Sequence, residues 1–124
     1  MSVKLSIRQM NDVSVVDVSG RITLSDGSST LRDALRAMAS EGRKKILLNL
    51  KDVFYIDSSG LGALVSSFAT LTNQGVQLKL LNLTHRVKDL LMITKLLTVF
   101  DVYDSEETAI RSFADVAATA PMGG

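Results

Sequence analysis

The residues most able to do chemistry in this chain lie in one run, Ile56-Asp57-Ser58-Ser59-Gly60-Leu61-Gly62. It offers a carboxylate, two hydroxyls and two residues without side chains, at a place where an apolar segment gives way to a helical pattern. The first backbone N–H groups of a helix have no internal partner and sit at the positive end of its dipole, so an anion there is stabilised. Asp57 and Ser58 are both good helix caps. Physics alone therefore leaves two readings open, a plain cap and a functional turn. In the functional reading the glycines Gly60 and Gly62 remove bulk and let another protein approach Ser58.

Other chemistry finds little support. The chain has one histidine, His85, which follows Thr84 and reads as a surface residue at a helix start. A serine hydrolase needs a nucleophile, a base and an orienting acid, and no G-x-S-x-G elbow occurs. The phosphate-binding G-x-x-x-x-G-K-[ST] motif is absent, and Gly60-Leu61-Gly62 is too short for a dinucleotide fingerprint. Asp52 and Asp57 are isolated acids, weak evidence for magnesium, so neither a metal nor a cofactor is expected. There is no cysteine, which removes disulfides and suits a reducing compartment. The five methionines are scattered and mark no groove.

The elements that position the run follow from periodicity. Val3, Leu5 and Ile7 alternate with polar residues, Asn11-Asp12 forms a turn, and Val13 to Val18 returns as a second strand ended by Gly20. A helix follows, with Asp26, Ser28 and Ser29 as candidate caps, an apolar face of Leu31, Ala34, Leu35 and Met38, and Gly42 at its end. Lys45 to Leu50 reads as a strand covered on both faces, followed by a separate Val53–Ile56 segment. The second helix carries Leu61, Leu64, Val65, Phe68 and Leu71 and closes at Gly75. Val76 to Leu81 is a strand. Thr84 caps a helix bearing Val87, Leu90 and Leu91, and Val99 to Tyr103 is the last strand. Asp104 and Glu107 form a capping box for a final helix with Ile110 and Phe113.

The expected architecture is a single α/β domain over residues 3–116, with a mixed sheet of about five strands and about four helices packed on it. Residues 117–124 read as a disordered tail. The chain has 124 residues, 46% of them hydrophobic and 22% charged, enough for one core. With 14 basic and 13 acidic side chains the net charge is +1, which gives no reason to expect nucleic acid. No apolar run approaches the ~20 residues of a membrane span, and the first ten residues lack a signal-peptide core. A cytoplasmic location is expected.

The chain resembles the STAS domain family (sulfate transporter and anti-sigma factor antagonist), and within it the stand-alone bacterial antagonists. The likeness covers about residues 3 to 114. It rests on Val15 to Gly20, on Ile46-Leu47-Leu48-Asn49-Leu50, and above all on Tyr55-Ile56-Asp57-Ser58-Ser59-Gly60-Leu61-Gly62. Leu90-Leu91 to Leu97 and the stretch Phe100 to Ala109 support it. The resemblance implies a substrate and binder, not an enzyme. An anti-sigma factor that is also a serine kinase would bind the unmodified chain, release its sigma factor, and phosphorylate Ser58 to end binding; a serine phosphatase would reset it. Asp57, Ser58, Ser59, Gly60, Gly62, Thr23 and Ser66 are the expected partner-binding residues, and Ser67 is expected on the same exposed side of the helix. A homodimer is compatible with this. The family often carries an acid shortly after the glycine that ends the second strand, and here that place holds Thr23. A scaffold subunit of a stress-sensing complex and a subunit of a lipid-transport ABC complex are the alternatives.

Overall fold

A computed structural model describes residues 3–24 and 27–113. Five strands form one sheet in the order β1 (Lys4–Met10), β2 (Val13–Ile22), β3 (Lys45–Ile56), β4 (Gln77–Leu81) and β5 (Val102–Tyr103). β1 pairs with β2 antiparallel, as a tight connection at Asn11-Asp12 requires, and every later neighbour is parallel. The parallel pairs are joined through helices α1 (Ser28–Ser40), α2 (Ser58–Asn73) and α3 (His85–Ile93), with a last helix, α4, over residues 106–113. This is the mixed α/β sheet with four helices that the residue pattern implies.

The sheet buries both faces unequally. On one, Val16, Val18, Ile46, Leu48, Leu78 and Leu80 meet the apolar stripes of α1, α2 and α3. Leu31, Leu35 and Met38 of α1 and Leu61, Leu64 and Leu71 of α2 are buried, as their helical spacing dictates. Each such side chain contributes about 1.5–3 kcal/mol by leaving water. Phe68 and Phe100 meet edge to face with centroids 5.0 Å apart. The other face carries a smaller cluster in which α4, through Ala109 and Phe113, covers Val13, Val15, Leu47 and Leu81. Lys79 lies under that helix, only 4% exposed. Its ammonium donates to Ser112 Oγ at 2.8 Å and stands 4.7 Å from the centre of the Phe113 ring.

Several elements differ from the sequence expectation. β2 continues past Gly20 to Ile22, because a register shift between Gly20 and Arg21 absorbs the irregularity while pairing to β3 goes on. β3 is correspondingly one strand; Lys51 and Asp52 are exposed and interrupt the apolar run without ending the ladder. α1 has Gly27 as its N-cap, with no side-chain cap bond; Ser28 and Ser29 are already helical, and Asp26 lies outside the described residues. The Val99–Tyr103 segment divides into a 3-10 turn, Leu97–Val99, and the two-residue β5. The cap of α4 is Ser105, whose Oγ accepts from Thr108 N–H at 3.4 Å, so the Asp104/Glu107 box does not form. The boundary at residue 116 and the tail at 117–124 also lie outside the described residues.

Helix ends follow a shared scheme. α1 and α2 close with Gly42 and Gly75 at positive φ (88° and 78°). Behind them Arg43 N–H reaches Met38 C=O and Val76 N–H reaches Leu71 C=O, the Schellman pattern. α3 closes the same way, but through Lys95 at φ 62°.

Candidate functional site

β3 ends at Ile56 and α2 begins at Ser58, so one residue, Asp57, makes the corner. Its backbone is extended (φ −106°, ψ −175°) and its Oδ1 accepts from the Gly60 N–H at 2.8 Å, the N-cap bond. The other carboxylate oxygen accepts from Leu24 N–H at 3.4 Å, tying the β2–α1 loop to the start of α2. Asp57 N–H donates to Ile22 C=O at 3.3 Å. The carboxylate is thus engaged in architecture.

Ser58 is the first residue of α2 and is exposed. Among the described residues no hydrogen bond uses its hydroxyl. That hydroxyl stands in water at the positive end of a 16-residue helix. Ser59 is half-buried. Gly62 and Ser66 continue the exposed line from Ser58 at four-residue steps, and Ser66 Oγ donates to Ala63 C=O at 3.2 Å. Gly62 is open: an added Cβ would meet nothing within 4 Å.

Three expected site residues have a different situation. Gly60 is buried, and a Cβ there would stand 2.0 Å from the Ile22 carbonyl oxygen. Its lack of bulk serves the seating of α2 on the end of β2, not the approach of another molecule to Ser58. Thr23 is 6% exposed and bridges to Gly27 across the β2–α1 loop. Ser67 is 5% exposed and faces α1, so it does not belong to the open side of α2.

The sequence reading missed Leu24. Its apolar side chain is 74% exposed, and its backbone N–H holds it to the carboxylate of Asp57, the residue before Ser58. The available signal was an apolar residue just past the end of a strand, followed by polar loop residues. Near the same end of the sheet, Tyr55 has the Arg21 guanidinium 5.6 Å and the Arg86 guanidinium 4.8 Å from its ring centre. Thr84 caps α3 and donates its hydroxyl to Val53 C=O at 2.9 Å. His85 is exposed at the first position of α3. Among the described residues no group of three His, Cys, Asp or Glu side chains is placed to hold a metal ion, and no helix is long and apolar enough to cross a membrane.

An aspartate-capped corner between β3 and α2, on a mixed sheet, is the feature that the resemblance singles out. The model of the STAS domain family matches residues 4–109. The chain belongs to the STAS domain family. This STAS domain is 32% identical over 111 residues to the anti-sigma-B factor antagonist of Bacillus subtilis (strain 168), covering 90% of this chain and 100% of that one. The anti-sigma-B factor antagonist of Staphylococcus aureus (strain NCTC 8325 / PS 47) is 32% identical over 77 residues, 62% of this chain and 71% of that one. The STAS fold agrees with that of an anti-sigma factor antagonist from Mycobacterium paratuberculosis, with a TM-score of 0.79 at 22% identity, covering 90% of this chain and 93% of that one. The unphosphorylated form of the anti-sigma factor antagonist SpoIIAA gives a TM-score of 0.75 at 18% identity over 90% of this chain and 97% of that one. At these identities the two structures speak to the fold.

Proposed function

We propose that this STAS domain is a cytoplasmic anti-sigma factor antagonist that works by reversible binding and carries out no catalysis itself. Its partner is an anti-sigma factor with serine kinase activity, which it binds while Ser58 is unmodified. Phosphorylation of Ser58 ends the binding, and a serine phosphatase restores it. The contact surface comprises Ser58, Gly62 and Ser66, with Leu24 as an apolar contact beside them. Asp57, Ser59, Gly60 and Thr23 hold this surface in place from behind.

The observation that carries the reading is the exposed, unengaged hydroxyl of Ser58 at the first position of α2, beside an Asp57 already committed to capping. A phosphoryl group adds a charge of about −1.5 to −2. The helix end tolerates that charge, so the fold survives modification. A partner surface that buries a neutral serine would instead have to desolvate a dianion next to a carboxylate, and mispaired charge at an interface costs several kcal/mol. Since ~1.4 kcal/mol is tenfold in affinity, this is enough to switch binding.

The test is incubation with the serine kinases of the same genome and Mg-ATP, mass spectrometry of the modified peptide, and binding of each variant to the kinase that acts. Ser58→Ala is expected to block modification and keep binding. Ser58→Asp is expected to fold normally and bind about tenfold or more weakly. A phosphate found on Ser66 or Thr23, or a Ser58→Asp chain that binds like the wild type, would overturn the assignment.

A further inference from the structure

The exposed line Ser58–Gly62–Ser66 does not stop at Ser66. One more four-residue step brings it to Thr70, and Ser66 and Thr70 together form one wall of a crevice between α2 and α1. Leu35 and Leu71 lie beneath it, and Arg32 and Arg36, one turn apart on α1, form the opposite wall. From Ser58 to Ser66 the helix rises roughly 12 Å. Both features therefore fall within the footprint of one protein partner.

Two independent observations mark the crevice as unfinished. Arg8, Arg43 and Arg111 pair with carboxylates, and Arg21 and Arg86 lie against Tyr55. Arg32 and Arg36 do neither: among the described residues no carboxylate comes within ion-pair distance of them. Ser67 lines the same crevice, 5% exposed, and its Oγ is buried without a hydrogen-bond partner. A hydroxyl shut away from water and left unpaired is unfavourable unless a partner group arrives.

We propose that this crevice receives an acidic side chain of the same kinase partner that reads Ser58, with the carboxylate held by Arg32 and Arg36 and accepting from the Ser67 hydroxyl, which rotates into the crevice to meet it. The size of the space selects the occupant. Its volume is about 30 Å³, room for an oxygen atom or two and far below the ~300 Å³ of a small-molecule pocket. An occupant that small must be the tip of a larger body. Two guanidinium groups fix its charge, since planar forks match a carboxylate. The interaction rests on the antagonist reading above. It supplies a second anchor for the unmodified chain, too small by itself to hold the kinase once Ser58 carries a phosphate.

The experiment is calorimetric titration of the unphosphorylated chain with the kinase that modifies Ser58, at low and at moderate salt, with Arg32→Glu/Arg36→Glu and Ser67→Ala beside the wild type. The charge reversal is expected to weaken binding at least about tenfold and to flatten its salt dependence, with the melting temperature little changed. Ser67→Ala is expected to weaken binding by about threefold, as loss of one hydrogen bond does. An arginine variant that binds within about twofold of the wild type with the same salt slope would overturn the proposal. So would a reversal that alters self-association of this chain instead, seen by light scattering. If the wild-type chain binds no serine kinase at all, the antagonist reading itself fails, a separate outcome from failure of the anchor alone.

Discussion

Gly60 and Gly62 stand two residues apart in the first turns of α2, and replacing each by alanine should move stability in opposite directions. At Gly60 a methyl group would lie 2.0 Å from the Ile22 carbonyl oxygen, 2.8 Å from its carbon and 2.9 Å from Ile56 Cγ1. The nearest obstacle is backbone, which cannot rotate aside. The start of α2 must shift away from β2, at an overpacking cost of about 1–3 kcal/mol. The same shift strains the Asp57 N–H bond to Ile22 C=O, worth about 1 kcal/mol. Alanine's better helix propensity returns about 1 kcal/mol. The net expectation is a loss of about 1–3 kcal/mol, a sizeable share of the ~5–15 kcal/mol that holds a domain together. At Gly62 nothing lies within 4 Å, so only the propensity gain remains, about +0.5–1 kcal/mol. Urea unfolding followed by circular dichroism measures both, with equal m-values as the check that the unfolding reaction is unchanged. The same Gly62→Ala chain carries an extra methyl group on the proposed contact line and should bind its kinase more weakly while melting higher. Two variants of the same sign, or a Gly60→Ala chain as stable as the wild type, would refute the reasoning about how α2 is seated.

Two further outcomes are expected. Lys95→Gly should stabilise the chain by about 0.5–1 kcal/mol, because a lysine now occupies the left-handed position that closes α3; thermal unfolding reads the gain. Arg8 donates to both oxygens of Asp17, at 2.6 Å and 3.0 Å, and holds that carboxyl below the usual carboxylate range, with a further bond from Asn49. A carboxyl with a depressed native pKa contributes stability at neutral pH that disappears as the pH falls through that value. In Arg8→Met the Asp17 carboxyl should titrate closer to its ordinary range by NMR, and the acid limb of the stability curve should become shallower.

Much of the fold was legible because periodicity and burial agree. The valines of β2, the run Ile46-Leu47-Leu48 and the stripes of α1 and α2 are apolar where the sheet and helices meet, and they are buried there. The helix ends at Gly42 and Gly75 were legible because glycine adopts a left-handed backbone without strain. What escaped depends on contacts distant in sequence. Lys51 and Asp52 read as a break, yet β3 continues because β2 pairs along it. Gly60 read as an opening for a partner, and only the approach of Ile22, far back along the chain, gives it another purpose. Ser67 looked like one more polar residue on a helix surface; its burial follows from where α1 lies. Ser58 itself was legible as a position, the residue after a capping aspartate. Its exposure is a property of the packed structure.

The clasp at Lys79 has a consequence for how the molecule yields under stress. An ammonium group confined beneath α4, with a hydroxyl and an aromatic ring for company, would be better hydrated outside. Peeling α4 away returns that hydration and sacrifices the smaller of the two apolar clusters together with the Arg8–Glu106 ion pair, while the larger cluster stays intact. Transient opening should therefore begin on the rear of the sheet, while the front that presents Ser58 keeps its shape.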